Sequence, residues 1–118
     1  MPVPLTEAEI ERLLPVWVVL SDTFLDTELD ERRYAEIAES LLSSGYSLHE
    51  LERIYRGDVA PAFVLNLWGV AGEWQGWTEE SVRSRVLRKR TSVLARFASR
   101  IFGGNYINSE WQKISRYF

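Results

Sequence analysis

The chain has no cysteine, one histidine and one methionine. Without cysteine there is no disulfide, no nucleophilic thiol and no thiolate for a metal. Zinc sites draw on several Cys or His ligands, and only His49 is on offer. A serine–histidine relay would need that ring, with an acid to orient it. Glu50 and Glu52 are its sequence neighbours, but neither spacing makes a triad, and His49 reads as a partly exposed helix residue. No catalytic residue, metal ligand or cofactor is expected.

Long apolar runs are missing as well. The run through Pro15 to Leu20, which begins at Leu13, is far short of the roughly 20 residues of a membrane span. The opening MPVPLTEAEIERLL has neither the basic start nor the apolar stretch of a secretory signal. The expected location is the cytoplasm, with no membrane partner.

Two loop motifs fail on inspection. An EF-hand loop starting at Asp26 would need glycine where Glu31 stands and an acid where Ile37 stands. The stretch Gly72-Glu73-Trp74-Gln75-Gly76 lacks the Gly-Lys-Ser/Thr ending of a phosphate cradle, and its acid would repel phosphate. Glu73 is the best candidate for carboxylate chemistry, because burial beside Trp74 would raise its pKa. The alternative is a structural acid paired with backbone amides or an arginine.

What the chain does have is apolar mass and helix punctuation. At 118 residues and 46% hydrophobic content, residues 1–118 read as one domain that buries roughly two-thirds of its unfolded surface. The spacing predicts an all-α fold of five to six helices wrapped round the first. Leu5-Thr6-Glu7-Ala8-Glu9-Ile10 is a helix start in which Thr6 and Glu9 cap each other and Leu5 staples to Ile10. Leu13, Leu14, Trp17 and Val18 follow on one face, Pro15 is expected to kink the helix, and Val16, Val19 and Leu20 suggest burial on several sides. A short strand over 16–19 lacks any partner strand pattern.

A second helix is expected from about Asp30 to Ser44, closed by Gly45 as a left-handed cap. Ser47 and Glu50 repeat the capping box, with Tyr46 and Leu51 as the staple, and this helix should run toward Gly57 or Val59. Pro61 blocks its continuation or begins a new short helix. Phe63, Val64, Leu67 and Trp68 suggest a buried helix ending near Gly69. Thr78 caps a long helix with Glu79 and Glu80 in its first turn. Val82, Val86, Val93, Phe97 and Ile101 mark its buried stripe, with Leu87 and Leu94 beside it. Gly103-Gly104 should stop it, and Asn108 should cap a last short helix carrying Trp111 and Ile114.

Three surfaces could carry function. The stretch Ala60 to Trp77 holds Trp68, Trp74 and Trp77 among Gly69, Gly72 and Gly76; it either closes the core or presents a binding surface. Asp22, Asp26, Glu28, Asp30 and Glu31 form an acidic cluster around a turn, suited to a cationic protein surface, with Trp74 and Trp77 as candidate aromatic anchors. Asp26 and Asp30 could equally be caps. Arg83, Arg85, Arg88, Lys89 and Arg90 are followed by Arg96 and Arg100, and Arg85, Lys89, Arg96 and Arg100 would share a face able to neutralise phosphates. The charge is divided: residues 1–60 hold 13 acids and 5 bases, and residues 61–118 hold 4 acids and 9 bases. An acidic half folding against a basic half accounts for this, as does an exposed patch that steers a partner. The overall pI of about 5.2 and the lack of a helix-turn-helix signature oppose nucleic acid.

The segments TEAEIERLLPVWVVLSDTFLDTEL, YSLHELERIYRGDVAP and NLWGVAGEW together resemble a family of small uncharacterised bacterial proteins of about this length. The resemblance covers about residues 6–90. Such proteins tend to occur beside polymorphic toxin systems, which implies an immunity role: binding and neutralising a cognate protein toxin. Gly57 departs from the pattern, since similar proteins carry an acid or another helix former there, so the third helix is expected to end earlier. Toxin binding is the leading expectation; a nucleic-acid-binding accessory role through the basic helix is the second.

Overall fold

In the computed structural model, which describes residues 5–25, 29–63 and 78–118, the chain is a single all-α domain. Helix α1 spans Glu7–Leu25, α2 Glu31–Leu42 and α3 Leu48–Ile54. A π-helical turn, Tyr55–Val59, leads straight into α4, Ala60–Phe63; α5 is Glu79–Lys89, α6 Val93–Phe102 and α7 Gly104–Ser115. No strand occurs among the described residues, and 16–19 are helical.

Local chemistry sets most of these boundaries. Thr6 Oγ1 accepts from the Glu9 N–H at 3.2 Å, and Glu9 Oε1 accepts from the Thr6 N–H at 3.1 Å. Ser47 and Glu50 form the same reciprocal box at 3.1 and 2.9 Å. Thr78 caps α5 through the Ser81 N–H. Gly45, at φ +86°, takes the left-handed turn after α2, a conformation that costs glycine nothing and a residue with Cβ something.

Helix α1 is the hub: it packs against α2, α4, α5 and the π turn. Trp17, Leu20 and Phe24 lie fully inside. Phe24, Tyr55, Tyr106 and Trp111 form a chain of rings with neighbouring centroids 5.7–5.8 Å apart, a separation at which tilted and offset rings attract. Thr23 Oγ1 donates to the Leu20 carbonyl at 2.9 Å, which leaves it as the acceptor for the Tyr55 hydroxyl at 2.8 Å. Burial holds the Tyr55 phenol well above its ordinary pKa, against the opposing effect of Thr23. The Tyr106 hydroxyl closes this network by donating to the Thr23 carbonyl.

The third helix leaves α geometry at Ile54, before Gly57, and the π turn carries the chain into the short helix that Pro61 was expected to begin, so residues 48–63 are helical without a break. Proline in a helix clashes with the carbonyl four residues back, and a wider turn just upstream relieves that clash. Asn108 does not cap a last helix. It lies inside α7, where its Oδ1 accepts from Arg56 Nη1 at 2.7 Å. The long helix over 79–102 is two helices. Lys89 ends α5, and Ser92 starts α6 by accepting from the Ala95 N–H. Val82 and Val86 are buried as expected, whereas Val93, Leu94, Phe97 and Ile101 are not. The 3–4 spacing continues across the break, but the helix axis does not. The expected helix over Val64, Leu67 and Trp68 lies outside the described residues.

Trp17→Ala should therefore cost about 3–5 kcal/mol, while Phe97→Ala should change stability by less than about 0.5 kcal/mol; urea titrations of both variants check the contrast. A second test concerns acid. The Ser47 N–H, and then its hydroxyl, hold the Glu50 carboxyl below the ordinary carboxylate pKa. A depressed carboxylate stabilises the fold above its unfolded pKa of roughly 4.3 and loses that contribution as pH falls through the lower folded value. In Ser47→Ala, the Glu50 carboxyl carbon should titrate nearer the ordinary range by NMR. An unchanged midpoint would mean that the box does not set it.

Candidate functional site

Few of the sequence's candidate residues remain available once the chain folds. Asp22 on α1 pairs with Arg33 on α2, which also reaches Glu36 at 3.2 Å. Burial works against the Arg33 charge, but the two carboxylates outweigh it and raise its pKa. Asp30 is the N-cap of α2, its Oδ1 accepting from the Arg33 N–H at 2.8 Å. Glu31 stands in solvent within 3.7 Å of Arg116 from α7. Asp22 thus links α1 to α2, Glu31 links α2 to the end of α7, and Asp30 serves α2 itself. Asp26, Glu28, Glu73, Trp74 and Trp77 lie outside the described residues.

The basic face is likewise divided and partly engaged. Arg85 and Lys89 lie on α5, Arg96 and Arg100 on α6. Arg85 Nε donates to the Ala62 carbonyl at 3.0 Å, and its guanidinium lies 5.4 Å from the Phe63 ring centre. Arg83 binds both oxygens of Glu7. Arg96 Nη1 donates to the Arg90 carbonyl at 3.2 Å. Arg88 and Arg100 are exposed.

Two acids that the sequence reading passed over are structurally the most consequential. Asp58, in the π turn, accepts from Trp17 Nε1 through Oδ2 and from Arg90 Nε through Oδ1, each at 3.2 Å. The Asp58 and Arg90 side chains are only 13% and 11% exposed. Glu110 is buried on α7, accepting from the Tyr34 hydroxyl at 2.7 Å and from Lys113 Nζ at 3.3 Å. Its position was legible: Ile107, Glu110, Trp111 and Ile114 share one helical phase. A charged residue in an apolar stripe signals a buried pair.

Among the described residues no group of three or more His, Cys, Asp or Glu could hold a metal ion. His49 is exposed. A cleft of about 360 Å³ is lined by Tyr34, Tyr117, Leu29, Asp30, Lys113 and the Glu31–Arg116 pair. Its cations already face carboxylates, and Asp30 is committed to its cap.

The distinctive surface is α6. Val93, Leu94, Phe97 and Ile101 are 81, 78, 59 and 59% exposed, while Ala95 and Ser99 are buried. The helix packs against α4 and α7 with Ala95 and Ser99 on its inner side and Val93, Leu94, Phe97 and Ile101 outward. That inverts the usual amphipathic arrangement.

Arg90→Met should strand the Asp58 carboxylate in a mostly buried place and cost about 3 kcal/mol. Adding Asp58→Leu should recover part of that loss. Denaturant midpoints of the two singles and the double variant measure the coupling; strict additivity would remove the pair from the core.

No curated protein matches the chain. No solved structure matches it either. The profile of a domain of unknown function, DUF7079, matches residues 11–117, and the chain belongs to that family.

Proposed function

We propose that this protein works by binding another protein, as an immunity-type factor that neutralises a cognate bacterial toxin. The observation that carries the binding reading is the outward-facing row Val93, Leu94, Phe97 and Ile101 on α6. Exposed large apolar groups lose contact with water only when something covers them, and burying them stabilises a complex at roughly 25 cal/mol per Å². Aromatic anchors such as Phe97 are common at the centres of interfaces. The toxin as partner comes from the resemblance of the LPVW, LSD and FLDTEL motifs to proteins found beside toxin systems. An enzyme is disfavoured by the internal commitments of Asp22, Asp30, Asp58 and Glu110. The nucleic-acid reading is weakened because Arg83, Arg85 and Arg90 are held by Glu7, the Ala62 carbonyl and Asp58.

Purification of the tagged protein from its host should yield a stoichiometric protein partner. Expressed alone, that partner should arrest growth, and co-expression of this chain should restore it. If no protein co-purifies, and the chain instead binds generic DNA or RNA with an affinity that falls steeply with salt, the protein-binding reading fails.

A further inference from the structure

We infer that the outer face of α6 receives an amphipathic helix of a protein partner, one whose apolar stripe is flanked by carboxylates. The inference rests on the protein-binding reading and specifies the surface and the partner's chemistry.

At 100° per residue, Val93, Phe97, Ile101 and Leu94 fall within an arc of about 100°. Arg96 and Arg100 lie next to that arc, on the Val93 side, and both are exposed. The spacing i, i+1, i+4, i+8 is the ridge that a second helix packs against, and recognition of an apolar helix face by a hydrophobic surface follows the same register. The ridge is straight and short, so it suits about three turns of partner helix rather than a flat sheet edge.

Charge decides the occupant. From Ser81 to Ser109 the chain has no acidic residue but holds Arg83, Arg85, Arg88, Lys89, Arg90, Arg96 and Arg100. Arg83 and Arg90 are neutralised by Glu7 and Asp58, which come from outside that stretch. Nothing on α6 itself balances Arg96 and Arg100. A second copy docking face to face would bring four guanidinium groups along one apolar seam without a carboxylate between them, and like charges across an interface oppose association. A partner helix with Glu or Asp on one flank pairs with Arg96 and Arg100 while its apolar stripe covers Phe97. Arginine is suited to this position, because its planar fork can bind a carboxylate with two hydrogen bonds.

Two synthetic helical peptides test the inference. Both carry Leu at i, i+3, i+4 and i+7; one has Glu along a flank of the stripe, and the other has Lys at the same positions. Fluorescence anisotropy with the wild-type chain should favour the Glu peptide by about tenfold, a preference that shrinks as salt is raised. Arg96→Glu/Arg100→Glu should reverse the preference. Phe97→Glu should abolish binding of the Glu peptide and leave the unfolding midpoint where it was. Absence of binding, equal affinity for both peptides, or no reversal in the double variant overturns the inference. A fall in the Phe97→Glu midpoint overturns it too, because the face would then be covered already, by the chain itself or by a second copy; sedimentation distinguishes these. A co-purified partner that binds Phe97→Glu as well as wild type sinks this surface while leaving the protein-binding reading standing. Loss of every protein partner sinks the reading, and the peptide preference then judges the surface on its own.

Discussion

The fold turns on one buried carboxylate. Asp58 sits where the third rod widens into a π turn, and it holds Trp17 of α1 and Arg90 at the end of α5 at the same time. The wide turn and the charge belong together. A π turn displaces side chains from their α-helical register, and here that displacement brings an acid to the indole N–H of the central tryptophan. Arg90 then has its guanidinium fixed inside and its carbonyl accepting from Arg96. The place where α5 ends, and so the direction in which α6 departs, follows from this node. A buried ion pair contributes less to stability than to fixing which arrangement the chain adopts, and the arrangement fixed here is the one that turns α6 outward.

The features that sequence could reveal are those determined within four residues. Thr6 with Glu9, Ser47 with Glu50, Thr78 and Gly45 all do what their local pattern indicates, because each cap satisfies backbone groups in its own turn. The stripe Val82, Val86, Val93, Phe97, Ile101 misled for the complementary reason. Its spacing is that of one helix, and residues 90–92 contain no glycine or proline to announce a break. What breaks the helix is Arg90 bound to Asp58, a contact across 32 positions, followed by Ser92, whose capping role only becomes evident once the helix has stopped. The π turn was hidden in the same way: Gly57 looks like a stop signal, and burial of Tyr55, Val59 and Phe63 keeps the backbone helical past it. Of the candidate binding residues, Asp30 was correctly open to reading as a cap, whereas the pairing of Asp22 with Arg33 needed the packing of α2 on α1.

Part of the uneven charge of the two halves is used within the molecule. Glu7 meets Arg83, Asp58 meets Arg90 and Glu31 approaches Arg116, each pair joining the acidic half to the basic half. Exposed pairs of this sort add little individually, but they constrain which faces of α5 and α7 lie against α1, the π turn and α2. Among the described residues, the one deeply buried acid of the second half, Glu110, is served from both sides, by Tyr34 of the acidic half and by Lys113 of its own helix.

The side chains that fold this protein and those that α6 displays are separate sets. Ala95 and Ser99 seat the helix; Val93, Leu94, Phe97 and Ile101 touch little of the interior. Substitutions in the displayed set can therefore accumulate without eroding the core, since a change at an exposed position far from caps and buried pairs is nearly neutral for folding. Selection on that face is decoupled from selection on stability. A chain built this way can retain one architecture while its outer α6 sequence drifts or is reshaped, which is the property a recognition surface needs if what it meets keeps changing.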